Sequence, residues 1–470
     1  MMFRKRIITM LLCTVLALSV FLTACSNNEA DGSSDGNDNG DQVDQVAIQV
    51  WLTPQWKGVF DPSEEGADDD SFFIYAAEKF IEQYEDYDVN IDVQIVAGDE
   101  RDALLNTALS GGTPPDIFFE STFAMGDYAH RGALVPLNDI VDDEAKNDIA
   151  DNYWDSVTFG GDIYFYPFSH MPGTLVYNAD MFKAAGLEDA IGEQDEIKTW
   201  TLEEFENILE TLKTDLPEDE FPNAHPMGLF AVNNQGDTWN LAYLRMFGNE
   251  FFDENGNIVL DDENGVKAAE WMKKIYDNGW SNPGAESVSS NDVNAMFHNQ
   301  QLAVSFTNSV LFNNLLADME KGEVSEFDVR LANIPSESGD PLTFTYVTGA
   351  SVFNTGDETR IQVAKDFVKF FSSDPELVKA SKNGIPVRTS VADEFKDDNP
   401  LFAAYDANAQ YMFNFTGNVP GYNELREVLY PELQALYTGN KTAEEAISDY
   451  QTKGNEVIER SKEDSVIYNK

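Results

Sequence analysis

Between residues 46 and 131 short apolar runs and amphipathic helical stretches take turns, and that alternation narrows the folds open to the chain. Val46 to Leu52 (VAIQVWL) reads as a buried strand. Phe72, Phe73, Ala76, Ala77, Phe80, Ile81 and Tyr84 recur at helical spacing, which predicts an amphipathic helix over 71–86. Val89, Ile91, Val93 and Ile95 alternate as a strand does. A helix over 103–109 stops at Gly111-Gly112, and Pro114-Pro115 forces an extended approach to the next strand, DIFFE (116–120). Another helix follows, through Tyr128 and Arg131. Strands alternating with helices in this way imply an α/β fold with mostly parallel sheets.

The pattern resumes further on. GTLVY (173–177) is a strand, and Asn178 after it suits the cap of a helix carrying Met181 and Phe182. Thr201 with Glu204, and Thr442 with Glu445, have the spacing of capping boxes. FFDENGNIVL (251–260) has the turn chemistry of a hairpin around Asn255-Gly256. Helices are expected over 363–371 and 423–437, and DPSEEGADDD (61–70) is an acidic loop. Residues 46–470 are too long a stretch for one core, so two lobes are expected.

The first 45 residues have another character. Arg4, Lys5 and Arg6 precede an apolar run from Ile7 to Leu22, shorter than the roughly 20 residues of a spanning helix. A basic start, a short apolar stretch and small residues before a cysteine read as a secretory signal peptide, residues 1–24. Leu22-Thr23-Ala24-Cys25 resembles the lipobox of bacterial lipoproteins, which implies cleavage before Cys25 and acylation of its thiol, with palmitate among the chains it would carry. Residues 25–45 are acidic, glycine-rich and free of aromatics, a composition that cannot offset its ordering entropy and so makes a tether. The cysteines are Cys13 and Cys25, so the mature chain has no intramolecular disulfide to form.

Charge excludes one class of partner. The formal net charge is −54, from 84 acidic and 30 basic residues, and loss of the leader's three bases makes it −57. No basic face exists to meet phosphates, so nucleic acid is not expected as a partner. The acids are spread along the whole chain, as on a solvated surface. His130, His170, His225 and His298 are scattered without zinc-helix spacing. No phosphate-binding loop, serine-nucleophile elbow or H-E-x-x-H motif occurs, and a glycosidase carboxylate pair is not indicated. Counted from Asp253, a calcium loop would need Gly and Glu where Ile258 and Asn264 stand. Neither a cofactor nor a metal is expected.

Seven motifs in order carry a family resemblance: ALSGGTPPDIFF, RGALVPLNDI, GGDIYFYPFSHMPGTLVYNADMFKAAGL, KTWTLEEF, MFHNQQLAVSF, NGIPVRTSV and GNKTAEEAI. Together they resemble the family 1 extracellular solute-binding proteins, the maltose-binding-protein-like sugar receptors of ABC importers. The resemblance implies a non-catalytic, monomeric receptor with two α/β lobes that close on a ligand by hinge bending and pass it to permease subunits. By resemblance the first lobe is 46–168 plus 306–355, and the second is 172–304 plus 356–470. Crossings are expected near Ser169-His170-Met171 and near Ser305-Phe306.

A sugar asks for flat aromatic platforms and a few fixed polar groups in a cleft. Open α/β sheets bind ligands beyond the carboxyl ends of their strands. Trp51 ends the first strand and serves equally well as core; Thr53, Gln55 and Trp56 fall where relatives place sugar contacts. Glu120, Ser121 and Phe123 follow the DIFFE strand, with Glu120 an acceptor for hydroxyls. His170 lies in a crossing, where it faces the cleft or makes a structural hydrogen bond. Trp239 matches a stacking position of relatives. Thr307 and Asn308 follow the SFTNS strand where relatives often carry Gly-Pro-Trp, a departure that removes an expected platform. Tyr346 and Tyr422 complete the candidates, and Gly349 suits a close backbone approach. Two alternatives stay open: the same scaffold taking a polyamine or peptide, or a surface protein that binds or processes glycans.

Overall fold

The computed structural model describes residues 45–54, 69–98, 100–232, 237–344, 347–397, 401–408, 411–416 and 418–470. Cys25, Gln55, Trp56 and Tyr346 lie outside these residues. Strand β1 (Gln45–Leu52) alternates exposed and buried residues up to Val50, then buries Trp51 and Leu52 as both faces become covered. β2 (Asp88–Ile95) pairs with it in parallel from Gln45↔Asp88 to Leu52↔Ile95. β3 (Ile117–Ser121) pairs in parallel on its other side, Leu52 opposite Phe119. Helix α1 (Ser71–Ile81) lays Phe72, Phe73, Ala76, Ala77 and Phe80 into the core, the face that the spacing predicts. α2 (Arg101–Ser110) ends at Gly111, and Gly112 beyond it takes φ +70°, a conformation that costs glycine little.

Among the described residues the first sheet has six strands, in the order 385–386, 166–170, 347–352, β3, β1, β2. A second sheet has five, in the order 197–198, 329–332, 173–178, 302–308, 225–227. Each sheet has its own hydrophobic core. Most strands of a sheet share one direction. The exceptions include 173–178 and 347–352, which are antiparallel to their neighbours. Both begin just after the chain has passed from one sheet to the other, and a strand entering from that side runs the opposite way.

This pairing corrects the expected lobe boundaries in two places. The 302–308 strand lies wholly in the second sheet, with Phe306 opposite Leu175, so no crossing occurs at Ser305-Phe306. The chain crosses instead between Ala332 of the second sheet and Val347 of the first. The helix Glu358–Ser373 then buries Val363, Phe367 and Phe371 in the first core, and 385–386 joins the first sheet. The expected second-lobe stretch from 356 is therefore first-lobe as far as Pro386. A third crossing follows, and Phe402 and Tyr405 belong to the second core. That core also holds the helices Leu202–Asp215, Glu263–Asp277, Tyr422–Tyr437 and Ala443–Asp464. Both expected capping boxes are formed, Thr201 with Glu204 and Thr442 with Glu445.

Candidate ligand site at the strand ends

Because β1 and β3 are parallel neighbours, their carboxyl ends deliver Thr53 and Glu120 to the same place. Thr53 Oγ1 donates to Glu120 Oε2 at 2.6 Å. Ser121 donates to Glu120 Oε1 twice, from its backbone N at 2.7 Å and from Oγ at 2.8 Å. Glu120 is only 2% exposed, and a carboxylate so buried needs such donors. Arg101 supplies the opposite charge, its Nη1 at 3.5 Å from Glu120 Oε2. The guanidinium is held in turn by the Asp102 carboxylate, Nε at 3.1 Å and Nη2 at 3.2 Å.

Arg101 was not among the sequence candidates. It stands at the first position of α2, where the helix macrodipole disfavours a cation. A basic residue in that place, in so acidic a chain, is the signal that would have singled it out.

Helix α3 (Thr122–His130) starts directly after β3 and carries Phe123 in its first turn. The half-buried Phe123 ring has the Arg426 guanidinium 4.9 Å from its centroid and that of Arg101 at 5.9 Å. Across from it, Phe415 lies 6.0 Å away, centroid to centroid. Phe415 leads to Tyr422 and Phe344, each at 5.9 Å. Phe344 leads to Trp239 at 5.2 Å, and Trp239 to Phe306 at 4.5 Å. A chain of rings thus runs from the first lobe into the second. Gly173 makes room for it, since a Cβ there would overlap the Phe344 ring.

The remaining candidates have local tasks. Trp239 is 4% exposed, packed between Phe306 and Phe344, with Nε1 donating to the Thr174 carbonyl at 3.3 Å. In this conformation it is a core ring and not an open platform. Trp51 is also core, edge-on to Phe118 at 6.3 Å. Asn308 caps the helix Ser309–Glu320, its Oδ1 accepting from Val310 N at 3.0 Å and Leu311 N at 2.9 Å. Thr307 turns its hydroxyl to the Asn308 carbonyl at 3.2 Å. The place where relatives carry an aromatic is thus a helix cap here.

His170 ends the strand before the first crossing, with Nε2 2.9 Å from the Tyr153 hydroxyl. Burial pushes its pKa down to about 3, so the ring is neutral at pH 7. Tyr422 opens its helix and is buried. At Gly349 a Cβ would collide with the Tyr166 carbonyl, so the sheet can close there only on a glycine. The structure therefore brings Thr53, Glu120 and Ser121 into one network and links Phe123, Tyr422 and Trp239 through Phe415 and Phe344. Among the described residues no group of three or more His, Cys, Asp or Glu is arranged to hold a metal, and no helix is long and apolar enough to cross a membrane.

Two sheet-centred lobes joined by several crossings, with polar groups gathered where strands of the first sheet end, have the architecture of the periplasmic-binding-protein type. The sequence model of the bacterial extracellular solute-binding proteins matches residues 64–376, and the chain belongs to that family. It is a binding protein and not an enzyme. A binding protein of Brucella abortus (strain 2308) is 21% identical over 374 residues, which are 79% of this chain and 86% of that one. The arabinooligosaccharide-binding protein of Bacillus subtilis (strain 168) is 18% identical over 376 residues, 79% of this chain and 77% of its own. Among solved structures, an ABC transporter solute-binding protein of Thermotoga lettingae TMO bound with α-D-tagatose superposes with a TM-score of 0.71 at 18% identity, covering 88% of this chain and 99% of that one. The likeness establishes the shared two-lobed fold.

Proposed function

We propose that the chain is the lipid-anchored extracellular receptor of an ABC importer, and that it captures an oligosaccharide between its lobes for delivery to the permease. The observation that carries this reading is the Glu120 carboxylate, fixed by Thr53 and Ser121, with the Arg101 guanidinium 3.5 Å from it and 5.9 Å from the centroid of the Phe123 ring. A fixed acceptor and an aromatic face are what a sugar's hydroxyl rim and C–H face require. The names of two similar proteins, one for an arabino-oligosaccharide and one bound with the monosaccharide tagatose, point to a carbohydrate ligand. Thr53, Glu120, Ser121, Phe123 and Tyr422 are the described residues we assign to the ligand, with Gln55, Trp56 and Tyr346 joining them from beyond the described residues. Cys25 is the anchor, and residues 26–45 are the tether that lets the cleft reach both ligand and permease.

The test is a thermal-shift screen against oligosaccharides, monosaccharides, spermidine and short peptides. A ligand that binds only the folded state stabilises it by about 2.7 kcal/mol at a hundredfold excess over Kd. Stabilisation by one oligosaccharide class, lost in Glu120→Gln, supports the reading. Stabilisation by spermidine and by no sugar overturns it.

A further inference from the structure

Phe123, Asp127 and His130 stand four and then three residues apart on α3 and so share one of its faces. The other side of α3, through Met125, Tyr128 and Ala129, belongs to the first core. All three residues on the first of these faces reach the second lobe or residues 465–468. Phe123 meets Phe415 and Arg426. His130 Nδ1 lies 2.9 Å from Ser465 Oγ, its Nε2 3.3 Å from the Asn418 carbonyl oxygen, and its own carbonyl accepts from Val466 N at 2.9 Å.

Asp127 makes the most specific of these contacts. The helix Tyr422–Tyr437 belongs to the second core, and its N-cap is Gly421, which offers no side chain to its first N–H groups. Such groups need an acceptor when buried. Asp127 provides it from the other lobe: Oδ1 accepts from Gly421 N at 2.7 Å and Tyr422 N at 3.0 Å, and Oδ2 from Asn423 N at 2.8 Å. A carboxylate there also complements the positive end of the helix.

The chain's end reinforces the same seam. After the helix Ala443–Asp464, the last residues turn back over the first lobe. Ile467 packs against the first core, close enough to Gly160 that a Cβ there would overlap it. The Tyr468 ring stacks on His130 at 5.8 Å, and Lys470 Nζ reaches Asp162 Oδ2 at 2.9 Å.

We propose that Asp127 is a lobe-bridging cap: a positioning residue on the first lobe that fixes the Tyr422 end of a second-lobe helix, within a seam running from Phe123 to His130 and closed by the C-terminal segment. The role of Tyr422 toward a ligand rests on the function proposed above; the seam does not. Helix caps ordinarily come from the residue just before the helix. A cap donated by the opposite lobe makes the helix end report the position of both lobes.

Hydrogen–deuterium exchange on the full chain, without ligand, tests this. Asp127→Asn removes the charge and one acceptor oxygen. The expected result is at least tenfold faster exchange at the amides of Gly421 to Asn423 and also at Val466, with the helix Glu263–Asp277 unchanged and Asp127→Glu restoring part of the protection. Asp142→Ala, which removes a cap inside the first lobe, should leave all four amides as they are. Faster exchange confined to 421–423, or none, overturns the bridging role. If Asp127→Asn does not fold, Tyr468→Ala carries the test from the far end of the seam. It should loosen Val466 and the 421–423 amides together, and loosening of Val466 alone overturns the proposal.

Discussion

Thr53 donates its hydroxyl hydrogen bond to Glu120 across 2.6 Å, joining residues 67 positions apart in the chain. The bond exists because two parallel strands end side by side, so it measures both the register of the first sheet and the order of the site. Glu120→Gln puts an amide beside Arg101 and withdraws a charged acceptor from Thr53 and Ser121. The expected cost is about 1–3 kcal/mol, read as a lower urea midpoint at unchanged slope, together with loss of the sugar-induced thermal shift. Retained binding in a folded Glu120→Gln protein would remove this residue from the site.

Gly173→Ala should be more disruptive than its size suggests. The added methyl meets the buried Phe344 ring, which has Trp239 and Phe415 against it and cannot retreat freely. Overpacking of this kind costs about 1–3 kcal/mol. Urea unfolding followed by tryptophan fluorescence would show it, and an unchanged midpoint would mean that the ring chain yields easily.

His170 gives the chain a pH-dependent stability with a defined sign. Its folded pKa is about 3 against an ordinary value of 6.5. Between those values the unfolded chain binds the proton more readily, so stability falls as pH drops. The contribution is whole above the unfolded value and is lost progressively toward the folded one, by no more than about 1.4 kcal/mol per pH unit. The stability difference between the native chain and His170→Gln should therefore shrink between about pH 7 and about pH 5. A difference that stays constant would show that the imidazole is not held neutral.

Cys25→Ser addresses the anchor. The native chain, expressed with its leader in a bacterial host and fed radiolabelled palmitate, should take up label and sediment with membranes; the variant should do neither. Equal labelling of both would place any acylation elsewhere.

The first βα units were legible because their signals are local. Alternation at Val89 to Ile95 and the 3.6-residue stripe of α1 need no knowledge of the rest of the chain. Sheet membership beyond residue 300 was not, since Phe306 reads as a strand residue whichever sheet it joins, and only its pairing with Leu175 decides. Among the site candidates, Glu120 and Ser121 followed from the end of a strand, and Thr53 from the family resemblance. Trp239 did not follow, because its burial is set by Phe306 and Phe344, both distant in the chain. Asn308 shows a different failure. Its cap signal, an Asn just before an apolar helical run, is present in the sequence, whereas the family resemblance implies only that an aromatic is missing there.

The first sheet draws its strands from residues as far apart as Gln45 and Pro386, and residues 465–470 are laid over the same lobe last. A ribosome making this chain must therefore release almost all of it before either lobe has its full complement of partners. Contacts between distant segments form slowly, and domains ordinarily fold as units once their parts are available. Until those distant segments meet, the apolar faces of the early strands and helices stay exposed, and it is then that a chain is open to aggregation and to chaperones.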